Sequence, residues 1–166
     1  MKKIRMFALL LAAAMVMTSF CFAADTSAKK PVKEDMGTYW WGVTTHKLSA
    51  EDRDLIERVV AAEARGCEYE GMLGVAQVIR ERAESWGLTA RQVVTARAQF
   101  AAPYQGEISD DVKQAVSDVF DKGVRQFKEY TTHFHSTSVN PWWNKNKVLR
   151  GTVDTQKFWG VNVTRV

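Results

Sequence analysis

The chain has 166 residues, 46% apolar and 25% charged, the composition of one ordinary globular domain and not of a disordered chain. Its formal charge of +4 comes from 23 Lys+Arg against 19 Asp+Glu. Lys2, Lys3 and Arg5 lie in a leader without acids, so the remainder carries about +1 and gives no support to a nucleic-acid reader.

Those three cations precede an apolar run from Met6 to Met17, and Cys21-Phe22-Ala23 offers a small-x-small cleavage site. Residues 1–23 therefore read as a signal peptide, with export to the periplasm or cell exterior. Thr18 and Ser19 interrupt the run before a spanning length of about 20 residues, against a retained anchor. Phe20 is a poor small residue ahead of Cys21, against lipidation there. The mature chain then keeps Cys67 alone, so it forms no internal disulfide, and its core must supply the stability.

Residues 24–47 are polar, lack periodicity and read as a linker. Tyr39-Trp40-Trp41 stands out within it, as rings that dock on the domain or stack on sugar. The folded domain covers residues 48–166. Ser49 with Asp52 has the form of a capping box and opens a helix that runs to Arg65, with Gly66 as its stop. A second helix spans about Tyr69 to Ser85, ending at Gly87. Thr89 and Gln92 cap a short third one. Residues 99–106 form a loop with Pro103 and Gly106, and a fourth helix covers about Asp110 to Lys122 before Gly123. Thr131–Ser136, Val148–Val153 and Gln156–Trp159 then alternate as strands. The fold class expected is α+β, mainly helical, with a small late antiparallel β element.

One residue breaks its local rule. On a helical wheel with Leu55 at zero, Val59 falls near ~40°, Ile56 near ~100° and Val60 near ~140°, while Asp54, Glu57, Arg58 and Arg65 occupy about 200–300°. Glu63 falls near ~80°, in the middle of the apolar stripe. A carboxyl there loses hydration, which raises its pKa and suits it to general-acid work. The structural reading is a buried acid paired with Arg82 or Arg97.

Val60-Ala-Ala-Glu63-Ala-Arg-Gly66, then Glu70-Gly71 through Ile79 and Arg82, resembles the opening of the cell wall hydrolase family of the spore cortex-lytic enzymes. Gln99-Phe100 matches that family's Gln-Phe before its substrate loop. Thr132-His-Phe-His135, Pro141-x-Trp143 and Thr152-Val153 through Phe158-Trp159 resemble its closing β segment. The resemblance implies a lysozyme-like fold and a lytic transglycosylase that cuts N-acetylmuramic acid from N-acetylglucosamine, with Glu63 as catalytic acid. Where the family commonly has Gly-x-His, this chain reads Asp154-Thr155-Gln156, which leaves the histidine's role unfilled.

A glycosidase usually needs a second carboxylate. Glu68, Glu70, Glu107, Asp110 and Asp154 are available, but none shares Glu63's pattern. A lytic transglycosylase takes its nucleophile from the substrate, so one glutamate can act as acid and then base. Gln99, Tyr104 and Thr132 are candidates to stabilise the transition state. Phe100, Tyr104, Trp142 and Trp143 are candidate sugar-binding walls, with one tryptophan lining the groove and the other packed inward. By the resemblance, His135 is a polar contact to the glycan. The expected partner is peptidoglycan, bound by a monomer without cofactor or lasting membrane insertion.

Three other readings stand beside this one. His133 and His135 share one strand face and with Glu63 could hold zinc, as in an amidase or peptidase. Cys67 could be a nucleophile, although a helix C-terminus disfavours its thiolate. A wall-binding module without catalysis would make Glu63 structural.

Overall fold

In the computed structural model of the protein, residues 47–161 are described. The expected signal peptide, nearly all of the expected linker with Tyr39-Trp40-Trp41 and His46, and the last five residues lie outside them. Among the described residues no helix is long and apolar enough to cross a membrane.

Each helix starts where a polar side chain takes up a free backbone N–H. Ser49 caps α1 (Ala50–Glu63), its hydroxyl accepting from the Asp52 amide at 3.1 Å. Only this half of the anticipated capping box forms, because the Asp52 carboxylate is taken by Arg91 of the third helix. The expected end at Arg65 is also corrected: α1 stops at Glu63, with Ala64 leaving helical geometry and Gly66 taking φ of 76°. Helix α2 (Tyr69–Trp86) ends in left-handed Gly87. Helix α3 (Ala90–Thr95) has a complete box, Thr89 and Gln92 each bonding the other's backbone. Ser109 caps α4 (Asp110–Phe120), two residues shorter than its pattern suggests.

Helix α2 forms the centre. Val75, Ala76, Val78 and Ile79 are fully buried against Ile56, Val59 and Val60 of α1, Val93 of α3, and Ala115, Val116 and Val119 of α4. Burial nearly all round marks a core helix, so its polar residues must be satisfied internally. Gln77 does so by accepting from the Gln126 and Phe127 amides at 2.8 and 2.9 Å while donating to the Phe127 carbonyl and to Glu81. Glu81 also accepts from the Thr131 amide and pairs with Arg125 at 3.2 Å.

The late β element is a three-stranded antiparallel sheet of β1 (His133–Ser136), β2 (Val148–Val153) and β3 (Gln156–Gly160), ordered β1-β3-β2. A two-residue turn with Asp154 at φ of 50° joins β2 to β3. The register sorts the side chains, since paired residues share a face. Phe134, Phe158 and Gln156 face the helices, and Phe127, Phe134 and Phe158 stack there with ring centroids 4.9 and 5.9 Å apart. His133, His135 and Trp159 face the other way. A short 3-10 helix (Trp142–Asn146) precedes β2, and sequence periodicity gave no sign of it.

Candidate active site

Glu63 follows Ile56, Val59 and Val60 at helical spacing of seven, four and three, which places it on the buried row of α1. Its side chain is half-buried. Oε1 accepts the Ala101 amide at 2.5 Å, and its backbone carbonyl accepts from Gln156 Nε2 at 2.9 Å. Among the described residues Oε2 has no partner. Burial holds the carboxyl above its ordinary pKa, opposed by the Ala101 bond and by the charge of Arg82. Its place at the negative end of a helix works in the same direction as burial.

The anticipated ion pair does not form: no cation among the described residues lies within 4 Å of Glu63. Arg97 is exposed. Arg82 is buried, and its guanidinium is committed elsewhere, donating to the Thr132 carbonyl at 2.6 Å and to Gln99 Oε1 at 3.2 Å. It also lies over the rings of Phe100 and Trp86, at 5.0 and 5.4 Å. Desolvation lowers its pKa to about 10, while the field of Glu63 opposes the change. Arg82 thus draws Gln99, Phe100 and Thr132 to the neighbourhood of Glu63.

Tyr104 sits along α1 instead. Its backbone exchanges bonds with Arg58, and Arg65 lies 5.4 Å from its ring centroid. Trp142 is 83% exposed, whereas Trp143 packs against His133 and His135 at 5.1 and 5.5 Å between centroids. His135 donates from Nδ1 to the Ser136 carbonyl at 2.7 Å and stacks on Trp159. His133 Nδ1 meets the Thr132 hydroxyl at 2.8 Å. Burial, with help from the charges of Lys147 and Arg82, lowers the pKa of His133 to about 4.

The histidines project from the face opposite Gln156, whose amide reaches α1, so Glu63 is not placed to complete a metal site with them. Among the described residues no three His, Cys, Asp or Glu side chains are grouped to hold a metal. Cys67 is buried. Of the acids considered as a second carboxylate, Glu68, Glu107, Asp110 and Asp154 are exposed, Glu70 is half-buried, and Asp154 is tied to the Glu68 amide at 3.1 Å.

Sequence reasoning missed two groups that touch Glu63. The Ala101 amide carries no side-chain signal. Gln156 was noticed only as a departure from a histidine, although a glutamine beginning a strand that ends in Phe-Trp is itself a candidate for an inward-facing polar contact. Glu81 was also missed. It is fully buried with its pKa raised by burial to about 7, but Gln77, Thr131 and Arg125 occupy its oxygens.

A family model described as Cell Wall Hydrolase matches residues 66–159, more than half of the chain and beginning just after Glu63. No curated protein sequence matches. Among solved structures, the catalytic domain of the Bacillus cereus SleB protein matches with 22% identity and a TM-score of 0.63, covering 72% of this chain and 98% of that one. The catalytic domain of the germination-specific lytic transglycosylase SleB from Bacillus anthracis matches with 21% identity and a TM-score of 0.61, covering 68% and 97%. These likenesses make the fold lysozyme-like.

Proposed function

Because the chain belongs to the cell wall hydrolase family, we propose that it cleaves peptidoglycan glycan strands between N-acetylmuramic acid and N-acetylglucosamine as a lytic transglycosylase, with Glu63 as its single acid and base. The observation that carries this reading is the state of Glu63: burial favours its protonated form, one oxygen is fixed by the Ala101 amide, and the other is unengaged among the described residues. Protonated Glu63 gives its proton to the glycosidic oxygen as the C1–O bond breaks. The resulting carboxylate then takes the proton of the muramic acid 6-hydroxyl as that oxygen bonds to C1, closing a 1,6-anhydro ring and restoring the acid. No water is consumed. Glu81 is a poor second carboxylate, being fully buried with Gln77, Arg125 and the Thr131 amide on its oxygens.

Gln99, Phe100 and Thr132, gathered by Arg82, are the first candidates for substrate contact, with Trp142, Trp143, Tyr104 and His135 as further ones. Such a substrate fits an exported monomer that works outside the cytoplasm. Mass spectrometry of peptidoglycan digested by the purified protein tests the reading. Fragments ending in 1,6-anhydromuramic acid, absent with Glu63→Gln, are expected. Reducing muramic ends would replace transglycosylation with hydrolysis, and cut peptides on intact glycan would overturn the proposal.

A further inference from the structure

We propose that Gln156 is a positioning residue for Glu63: its buried side-chain amide holds the carbonyl that closes α1 and so fixes where the catalytic carboxyl stands. The inference rests on Glu63 being the general acid. The last carbonyls of a helix have no partner within it and need one from outside. Helix α1 has no basic residue in its last turn, and Gln156 supplies the donor, Nε2 to the Glu63 carbonyl at 2.9 Å.

The anchor is a firm one. Gln156 is 1% exposed and opens β3, the central strand, where it pairs with Ser136 on one side and Val153 on the other. Two residues earlier, Asp154 in the hairpin turn accepts the Glu68 amide at 3.1 Å. The β2–β3 hairpin therefore grips the α1–α2 connection at both ends, donating to Glu63 just before it and accepting from Glu68, its last residue.

The other end of the same amide shows what it is for. Gln156 Oε1 is buried and has no partner among the described residues. A side chain kept only for packing would be better apolar, because an unpaired buried oxygen is a cost. Among the described residues the one bond that this side-chain amide makes is to the backbone of Glu63. A donor at that carbonyl also offsets some of the negative charge at the helix end, which otherwise opposes ionisation of the Glu63 carboxyl. Position and proton affinity are thus set together.

The chain's resemblance to its family places a histidine here, and an imidazole N–H stands at the same bond count from Cα as Gln Nε2. Gln156→His keeps the donor, whereas Gln156→Leu and Gln156→Met remove it at similar volume. The full-length protein and these variants would be assayed on soluble glycan strands, with thermal melting and a carbon-13 NMR titration of the Glu63 carboxyl. In the Leu or Met variant kcat is expected to fall at least about tenfold with KM within about twofold, as for a displaced catalytic group. The Glu63 titration and the alkaline limb of the rate profile should move to higher pH, and Gln156→His should return kcat to within about threefold of wild type. A folded Leu or Met variant with wild-type kcat and an unmoved Glu63 titration overturns the proposal. If the wild-type protein cuts no glycan, the functional reading fails by itself. The NMR titration then still decides Gln156: an upward shift upholds its hold on Glu63, and an unmoved titration ends it.

Discussion

At the scale of single residues, Glu63 was legible because it violates its helix. An acid on the row of Ile56, Val59 and Val60 has no amphipathic excuse, and the structure places it on that buried row. Its surroundings were less legible, since a backbone amide and an arginine busy with other partners leave no spacing in the sequence. Glu63→Gln keeps the size and the ability to accept the Ala101 bond but cannot donate a proton. Glycan cleavage should fall by about 10²–10⁴, while thermal melting near neutral pH is unchanged or slightly higher, because a desolvated carboxylate has been removed. Kinetics beside calorimetry would check both halves. Arg82→Met is expected to act differently. It strips the bonds to Thr132 and Gln99, costing about 1–3 kcal/mol of stability in a denaturant melt. It also removes the charge that holds the Glu63 pKa down, so the alkaline limb of any remaining activity should move to higher pH.

At the scale of elements, starts were easier to read than ends. Ser49 and Thr89 announce α1 and α3 by a local hydrogen bond that sequence spacing encodes directly, and Ser109 caps α4 in the same way. Ends depend on tertiary demands: α1 stops short of Arg65 with its last carbonyl given to Gln156, a residue 93 positions away. The three strands were legible by alternation, but their order was not. Only the β2–β3 turn is local, and β1 joins β3 through Phe134 and Phe158 burying one face on α2. That junction makes a sharp prediction. A Cβ on Gly74 of α2 would stand 2.7 Å from the Phe158 ring, too close for contact. Gly74→Ala should therefore destabilise the protein by about 1–3 kcal/mol through overpacking, despite alanine's better helix propensity. Gly87→Ala is the informative contrast. It meets no atom within 4 Å but sits at φ of 65°, so its smaller cost would be purely conformational.

At the scale of the whole molecule, the motifs that resembled cell wall hydrolases led to the right family and fold class, because they mark where α1, α2 and the sheet meet. The buried polar network between α2 and the segment leading to β1 was invisible, since Gln77, Glu81 and Arg125 are unremarkable in a helix and a loop. That network governs how stability depends on pH. Glu81 and Glu63 have folded pKa values above the ordinary 4.5, Glu81 at about 7, both chiefly through burial. The folded protein therefore binds more protons than the unfolded chain above pH 4.5, and their contribution to stability is lost as pH rises through the folded values. His133 runs the other way: lowered from 6.5 to about 4, its contribution is lost as pH falls through that window. Glu57, which burial also raises, joins Glu81 and Glu63 on the side that loses stability with rising pH, so the melting temperature should be higher near pH 5 than near pH 8. In Glu81→Gln the glutamine can still accept the Thr131 amide and the alkaline loss from residue 81 disappears, leaving Glu63 and His133 to oppose each other. Its melting curves at pH 5 and pH 8 should draw together, even if the variant is less stable throughout for want of the Arg125 ion pair. A difference between the two pH values as large as that of the wild type would mean that Glu81 is ionised in its network at neutral pH. Arg125 and the Thr131 amide would then have overcome its burial.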